Sequence, residues 1–133
     1  KTDSKTDSNN NIRTPFMDVK NSYTNSDVVI IPIPYENTVS WIKGTEKGPK
    51  TIIEASMELE FFSTYLNRRI VDYVKIYTSH GLDMERKSYE DMLDIVEKKT
   101  NKILEDGKKI VAIGGEHSIS IGIVNSITKR YGK

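Results

Sequence analysis

The sequence predicts an α/β fold in which a mainly parallel sheet carries helices on both faces. Short runs of apolar, mostly β-branched residues alternate along the chain with segments whose apolar residues recur every three or four positions. The segments between the runs are long enough for the crossover connections that parallel strands need. Ligands of such sheets bind at the carboxyl ends of the strands, so the residues that follow each strand are candidates for a functional site.

The first strand is predicted over residues 28–34, where a run of valine and isoleucine ends in two prolines that should close its ladder. A loop leads from there to Pro49, which suits a first helical turn because its missing N–H has no partner at that position anyway. The apolar residues that follow have helical spacing and predict one buried helix face: Ile52, Ala55, Leu59, Phe62 and Leu66.

The remaining elements are predicted in the order strand, helix, strand, helix. Ser88 and Asp91 have the spacing of a capping box at the start of the second helix, and Gly107 suits its end. The predicted bounds are 72–77 for the second strand, 109–113 for the third strand and 119–131 for the third helix.

Residues 1–26 are predicted to be a disordered polar tail, because they are too poor in apolar residues to offset the entropy of ordering. Ile12, Phe16 and Val19 are the tail residues that would dock loosely on the body. The domain proper is expected over residues 27–133.

Composition excludes several classes of protein. The 133 residues include 20 basic and 19 acidic side chains, for a net charge of +1, so no electrostatic feature favours binding to nucleic acid or to a membrane surface. There is no cysteine, which rules out a disulfide framework and a cysteine nucleophile. No apolar stretch approaches the roughly 20 residues that a membrane span requires. We expect a soluble, cytoplasmic protein.

The third predicted strand runs into Gly114-Gly115-Glu116-His117-Ser118. Two glycines permit a tight turn and a close backbone approach, which leaves Glu116 and His117 at the rim of the sheet, with Ser118 or Ser120 able to cap the third helix. Three interpretations of this turn stay open. His117 is a metal ligand supported by Glu116, or it is structural or merely exposed, or the turn binds a small anion or nucleotide through its N–H groups.

Three motifs in order resemble one family. Gly114-Gly115-Glu116-His117-Ser118 resembles the first metal motif of the ureohydrolases, the arginase and agmatinase family. The segment 31–40, Ile-Pro-Ile-Pro-Tyr-Glu-Asn-Thr-Val-Ser, is similar to the first strand and loop of its agmatinase-type members. The segment 44–56, which begins Gly-Thr-Glu-Lys-Gly-Pro, is similar to their next helix start. The resemblance covers about residues 27–133.

The resemblance implies a three-layer αβα fold with a pair of Mn²⁺ ions at the carboxyl edge of the sheet. It also implies hydrolysis of a small guanidino compound, with agmatine favoured, to an amine and urea in polyamine biosynthesis, by a homotrimer or homohexamer. By motif position, His117 is a ligand of one metal ion, and Gly114, Gly115, Glu116 and Ser118 shape its surroundings.

The loop after the first strand is assigned to the substrate side of the site, through Tyr35, Glu36 and Trp41. For Trp41, the alternative is that its ring anchors the loop against the sheet edge.

The chain departs from the family where further ligands would be expected. The later Asp-x-His-x-Asp and Asp-x-Asp patterns do not occur, and from Ser118 to Lys133 there is no Asp, Glu or His. The other histidine, His80, matches no ligand position. We therefore expect the N-terminal part of a ureohydrolase, cut after the third strand–helix unit, with no catalytic residue of its own and no activity alone.

Overall fold

The computed structural model describes residues 14–132, and these form five β-strands and three α-helices. The strands are β1 (Val28–Ile33), β2 (Phe62–Ser63), β3 (Arg68–Arg69), β4 (Ile76–Thr78) and β5 (Lys109–Gly114). The helices are α1 (Gly48–Ala55), α2 (Tyr89–Glu105) and α3 (Ile119–Tyr131). Across the described range, every helix is too short or too polar to cross a lipid bilayer.

The main sheet confirms the predicted parallel architecture. Its order is β4-β1-β5, and both pairings of the central strand are parallel. β1 pairs with β4 over residues 28–30, and with β5 from Val28 opposite Lys109 to Ile33 opposite Gly114. The ladder with β5 ends at Ile33, between Pro32 and Pro34, as predicted. Pro32 itself is still paired with Ile113 of β5. It lies beyond the last pair with β4, so its missing N–H interrupts no bond on that side.

The core lies on both faces of β1, whose residues 29–33 are all buried. Alternation along a strand sends successive side chains to opposite faces. Val29, Ile31 and Ile33 join the buried side chains of α2 and the first residue of α3 in one cluster. Ile30 is buried outside that cluster, and α1, which contacts β1 and β5, covers this other face with Ile53. The result is the expected three-layer αβα arrangement.

The last two helices agree with their predicted ends. Ser88 caps α2 in a capping box with Asp91, and Gly107 follows the helix with a φ of +74°, a conformation that glycine adopts without strain. α3 packs along α2, where Asn125 and Lys129 hydrogen-bond to Glu97 at 2.8 and 2.6 Å.

The prediction of a disordered tail is wrong for residues 14–26, which are ordered against the body. Residues 1–13, with the predicted docking residue Ile12, lie outside the described residues. Hydrogen bonds to the body hold the segment. Phe16 N–H donates to Thr78 Oγ1 of β4 at 2.9 Å, and Met17 N–H donates to Ser56 Oγ just after α1 at 2.7 Å. Tyr23 O–H donates to Asp106 Oδ2 just after α2 at 2.5 Å. The prediction failed because it judged the segment by composition, whereas a few backbone and aromatic groups with specific partners hold it.

The prediction of one long helix after Pro49 is also wrong. α1 ends at Ala55, and Ser56 fixes that end by donating its hydroxyl to Ile53 O at 2.6 Å. The chain then turns back in the hairpin β2–β3, whose turn includes Asn67 at a φ of +49°. The predicted helix face is consequently about half exposed, at 49% for Ile52, 53% for Leu59 and 48% for Phe62 and for Leu66.

We expect the two isoleucines of α1 to differ sharply in their contribution to stability. Ile53 is fully buried, so Ile53→Ala should lower the free energy of unfolding by about 2–5 kcal/mol. Ile52→Ala is the matched control, since Ile52 is 49% exposed and loses much less buried surface. Urea unfolding followed by circular dichroism measures both. Equal losses of stability, or a larger loss for Ile52→Ala, would contradict this structure and support the predicted helix with Ile52 on its buried face.

Candidate functional site

The candidate site lies where β1 and β5 end side by side. Because the two strands are parallel and in register to Ile33 and Gly114, the segments that follow them leave the sheet at the same edge. Two backbone hydrogen bonds join these segments: Gly115 N–H donates to Ile33 O at 3.0 Å, and Glu116 N–H donates to Tyr35 O at 3.1 Å. The predicted turn is therefore attached directly to the loop after the first strand.

The two glycines are required by space at this junction. A Cβ on Gly115 would lie 2.2 Å from Tyr35 O and 3.2 Å from Thr45 O, which are both backbone atoms. A Cβ on Gly114 would lie 2.0 Å from Cδ1 of Ile119, the end of a flexible side chain. The close backbone approach that the sequence predicted is therefore present, and it is strictest at Gly115.

Glu116 is buried, and its carboxylate crosses from the turn to the loop after β1. Oε2 accepts hydrogen bonds from the backbone N–H groups of Asn37 at 3.1 Å and Thr38 at 2.9 Å. Oε1 accepts hydrogen bonds from the hydroxyls of Thr38, at 2.5 Å, and Ser118. Burial by itself raises the pKa of Glu116, but these hydrogen bonds outweigh it and hold the pKa of this carboxyl below its ordinary value.

His117 is exposed at the rim, between Glu116 and Ser118. Its backbone oxygen accepts a hydrogen bond from Ser120 N–H at 3.0 Å, which starts the first turn of α3. Within residues 14–132, no group of three or more His, Cys, Asp or Glu side chains is placed to hold a metal ion. His117 thus offers an accessible imidazole, with no complete metal site around it among the described residues.

Ser118 does not cap α3 as predicted. It occupies the position before the helix, but its backbone is already helical and its hydroxyl is directed to Glu116 instead of to the helix N–H groups. Ser118 is thus part of the surroundings of the Glu116 carboxylate.

The loop residues assigned to the substrate side have three different environments. Tyr35 is 1% exposed and belongs to the core cluster, so its ring is shielded from solvent. Glu36 accepts hydrogen bonds from Gly44 N–H at 2.5 Å, Thr45 Oγ1 at 2.8 Å and Glu46 N–H at 3.2 Å. These hydrogen bonds outweigh the effect of burial and lower the pKa of Glu36. They also close the loop by joining its start to residues 44–46.

Trp41 is 87% exposed at the tip of that loop. This exposure contradicts the alternative in which the ring anchors the loop against the sheet edge. Of the three assigned residues, Trp41 alone presents its whole side chain to solvent, and nothing in its contacts defines a role.

Sequence reasoning missed Asn37 and Thr38 as site residues. They are 79 and 78 positions away from Glu116, and their hydrogen bonds to it depend on the parallel pairing of β1 with β5. The only available signal was the pairing itself, which predicts that whatever follows β1 meets whatever follows the strand beside it.

The structure gives the anion-binding interpretation no support. Two N–H groups of the turn, those of Gly115 and Glu116, already donate to Ile33 O and Tyr35 O. The N–H groups of the facing loop at Asn37 and Thr38 already bind an anion, which is the carboxylate of Glu116.

Comparisons with known proteins agree with this fold. The arginase family model matches residues 26–133. The N(1)-aminopropylagmatine ureohydrolase of Synechocystis sp. is 38% identical over 112 residues, which make up 81% of this chain and 37% of that protein. The agmatine ureohydrolase structure of Thermoplasma volcanium has a TM-score of 0.75 and 27% identity, and the match covers 85% of this chain and 38% of that one.

A third similarity is one of fold alone. The structure of Trypanosoma cruzi formiminoglutamase with Mn²⁺ matches with a TM-score of 0.75 at 20% identity, over 88% of this chain and 40% of that one. In each comparison, the chain spans about two fifths of the length of the protein that it matches.

The three layers and the turn that presents His117 at the carboxyl edge define an α/β domain of the ureohydrolase type. The chain belongs to the arginase family, since the family model matches it from residue 26 to residue 133.

We expect alanine to be much less tolerated at Gly115 than at Gly114. The Cβ of Gly115→Ala meets backbone oxygens and must separate the turn from the loop, which should cost about 3 kcal/mol or more. The Cβ of Gly114→Ala meets the end of Ile119, which can rotate, so a loss of about 1 kcal/mol is expected. Calorimetric unfolding measures the difference, and equal losses would contradict the assignment of the close approach.

Acid should destabilise the fold partly through Glu116. A carboxyl whose pKa is lowered on folding contributes stability that is complete above its unfolded pKa, about 4.3, and is lost as the pH falls through the lower folded value. Urea unfolding from about pH 7 to about pH 3 should therefore show that Glu116→Gln is less stable near neutrality and loses less stability on acidification. Other carboxyls with lowered pKa stay in both proteins, so parallel curves would contradict this role.

Proposed function

We propose that this chain is the N-terminal portion of an agmatinase-like ureohydrolase. The complete protein would hydrolyse the guanidinium group of a small guanidino compound, with agmatine favoured, to an amine and urea, in polyamine biosynthesis. The observation that carries the proposal is the turn at the carboxyl edge of the sheet. There, in a chain of the arginase family, the exposed imidazole of His117 projects from a backbone segment that is hydrogen-bonded to the loop after β1. The names of the relative from Synechocystis sp. and of the structure from Thermoplasma volcanium support the guanidino substrate class.

The proposed cofactor is a pair of Mn²⁺ ions, of which His117 would bind one. A neutral imidazole is a common metal ligand, and His117 is exposed enough to reach an ion. Bound divalent cations lower the pKa of water enough to supply hydroxide near neutral pH. The described residues fit one ligand position and not a whole two-metal site. The proposed role of this chain is therefore to present one metal ligand, His117, at a fixed position on the carboxyl edge of the sheet.

His117→Ala should lower kcat/KM for urea release from agmatine in a complete protein that contains this segment and is loaded with Mn²⁺. Loss of an outer partner of a ligand costs about 10- to 100-fold, so loss of the ligand itself should cost at least about 100-fold. His80→Ala is the matched control, because His80 is also an exposed histidine and follows a strand of the same sheet.

The control should stay within about twofold of wild type, as expected for an exposed side chain outside the chemistry. Activity that requires Mn²⁺ but survives His117→Ala would contradict the proposed ligand. Activity on no guanidino compound would contradict the proposed reaction while leaving the ligand to be tested by metal binding.

We also propose that the 133-residue chain alone is inactive and self-associates. Among the described strands, β5 has a partner on one side only, and Val111 on it is 46% exposed. Ile121, Val124 and Ile127 of α3 are exposed by 46%, 56% and 41%. An unpaired strand edge and exposed apolar side chains each favour association. Sedimentation of the chain would show it, and a monomer that folds cooperatively and releases urea from agmatine would refute it.

A further inference from the structure

We propose that Glu116 is a positioning residue for His117. Its buried carboxylate anchors Glu116 itself, binds Ser118 on the other side of His117, and binds the facing loop. This inference rests on the proposed function only in its final consequence, the affinity of His117 for Mn²⁺. Its basis is the set of hydrogen bonds that Glu116 accepts, together with the place of His117 in the turn.

The carboxylate of Glu116 is fully engaged. An ionised carboxylate offers about four acceptor sites, two on each oxygen. Oε2 uses its two for the N–H groups of Asn37 and Thr38, and Oε1 uses its two for the hydroxyls of Thr38 and Ser118. No acceptor site is left for a metal ion, so the carboxylate next to His117 acts through geometry and not as a ligand.

The same hydrogen bonds hold the residues on both sides of His117 in the sequence. On one side, Glu116 is fixed by its buried side chain and by its N–H bond to Tyr35 O. On the other side, Ser118 is fixed because its hydroxyl donates to Oε1 of that same carboxylate. The backbone of His117 is thus tied at both ends, while its side chain stays exposed. A ligand held in this way loses less conformational entropy when it binds an ion.

Thr38 is the partner that makes this role testable. Its hydroxyl reaches Oε1 from the opposite segment, whereas its N–H reaches Oε2. Thr38→Val removes only the hydroxyl donor and keeps nearly the same shape, and Thr38→Ser restores that donor. Glu116→Gln keeps the size of the side chain but removes its charge and replaces one acceptor oxygen with an NH₂ group, so two of the four hydrogen bonds must break or reverse. These variants separate the hydrogen bonds from simple filling of space.

The first measurement is the mobility of His117 without metal. In a metal-free complete protein that contains this segment, ¹⁵N relaxation should give the His117 amide an order parameter near 0.85, the value of rigid backbone, and Glu116→Gln and Thr38→Val should lower it toward about 0.6. Thr38→Ser should restore it. Ile103→Val, in the buried core away from the turn, is the control for general destabilisation and should leave it unchanged.

The second measurement is Mn²⁺ binding, followed by paramagnetic broadening of the His117 imidazole signals during titration with MnCl₂. Glu116→Gln and Thr38→Val should weaken the apparent affinity by about 10- to 100-fold, and Thr38→Ser should not. An unchanged order parameter in both variants, or an equal change in Ile103→Val, would overturn the positioning role.

Unchanged Mn²⁺ affinity despite a mobile His117 would likewise overturn it, because fixing the residue would then have no consequence for the ligand. Absence of any broadening at His117 in the wild type would instead refute the proposed metal ligand, and the order parameters would still decide whether Glu116 positions the residue.

Discussion

The structure depends on the parallel pairing of β1 with β5. Six residue pairs, from Val28 with Lys109 to Ile33 with Gly114, bring two segments that are about 80 residues apart in sequence to one edge of the sheet. A shift of one residue would move every side chain of β1 to the opposite face, and that strand is buried on both faces. The core therefore fixes the register, and the register fixes which atoms meet at the site.

The details of the turn follow from that register. The carbonyls of Ile33 and Tyr35 face the N–H groups of Gly115 and Glu116, which brings the two backbones so close that position 115 has no room for a Cβ. The close approach also carries the side chain of Glu116 across to the loop, where N–H groups and a hydroxyl surround it. The cost of burying this carboxylate is offset because its hydrogen bonds are complete.

Sequence reasoning succeeded where local and tertiary signals agree. The run at β5, the capping box at Ser88 and the glycine at 107 each point to the element boundary that forms. It failed after Pro49, where helical spacing continued but Ser56 and Asn67 ended the helix and turned the chain back. It also failed at residues 14–26, whose order depends on partners such as Thr78 and Asp106 far along the chain. The turn with His117 was predictable as a motif, whereas the saturation of Glu116 was not, since it needs a register that no local pattern contains.

The use of the two carboxylates at the edge also bears on where further ligands of the proposed site would lie. Glu36 and Glu116 are the acidic residues nearest to the strand ends of β1 and β5. Glu116 accepts hydrogen bonds on both carboxylate oxygens, whereas Glu36 accepts its three on Oε2 alone. The carboxylate of Glu116 is thus fully engaged in holding the loop, and that of Glu36 holds it through one oxygen. Glu116 is therefore excluded as a further ligand for an ion at His117, and other ligands would have room to approach past the edge of β5 that is unpaired among the described strands. The same edge exposes Val111, so one surface would both complete the sheet and complete the site.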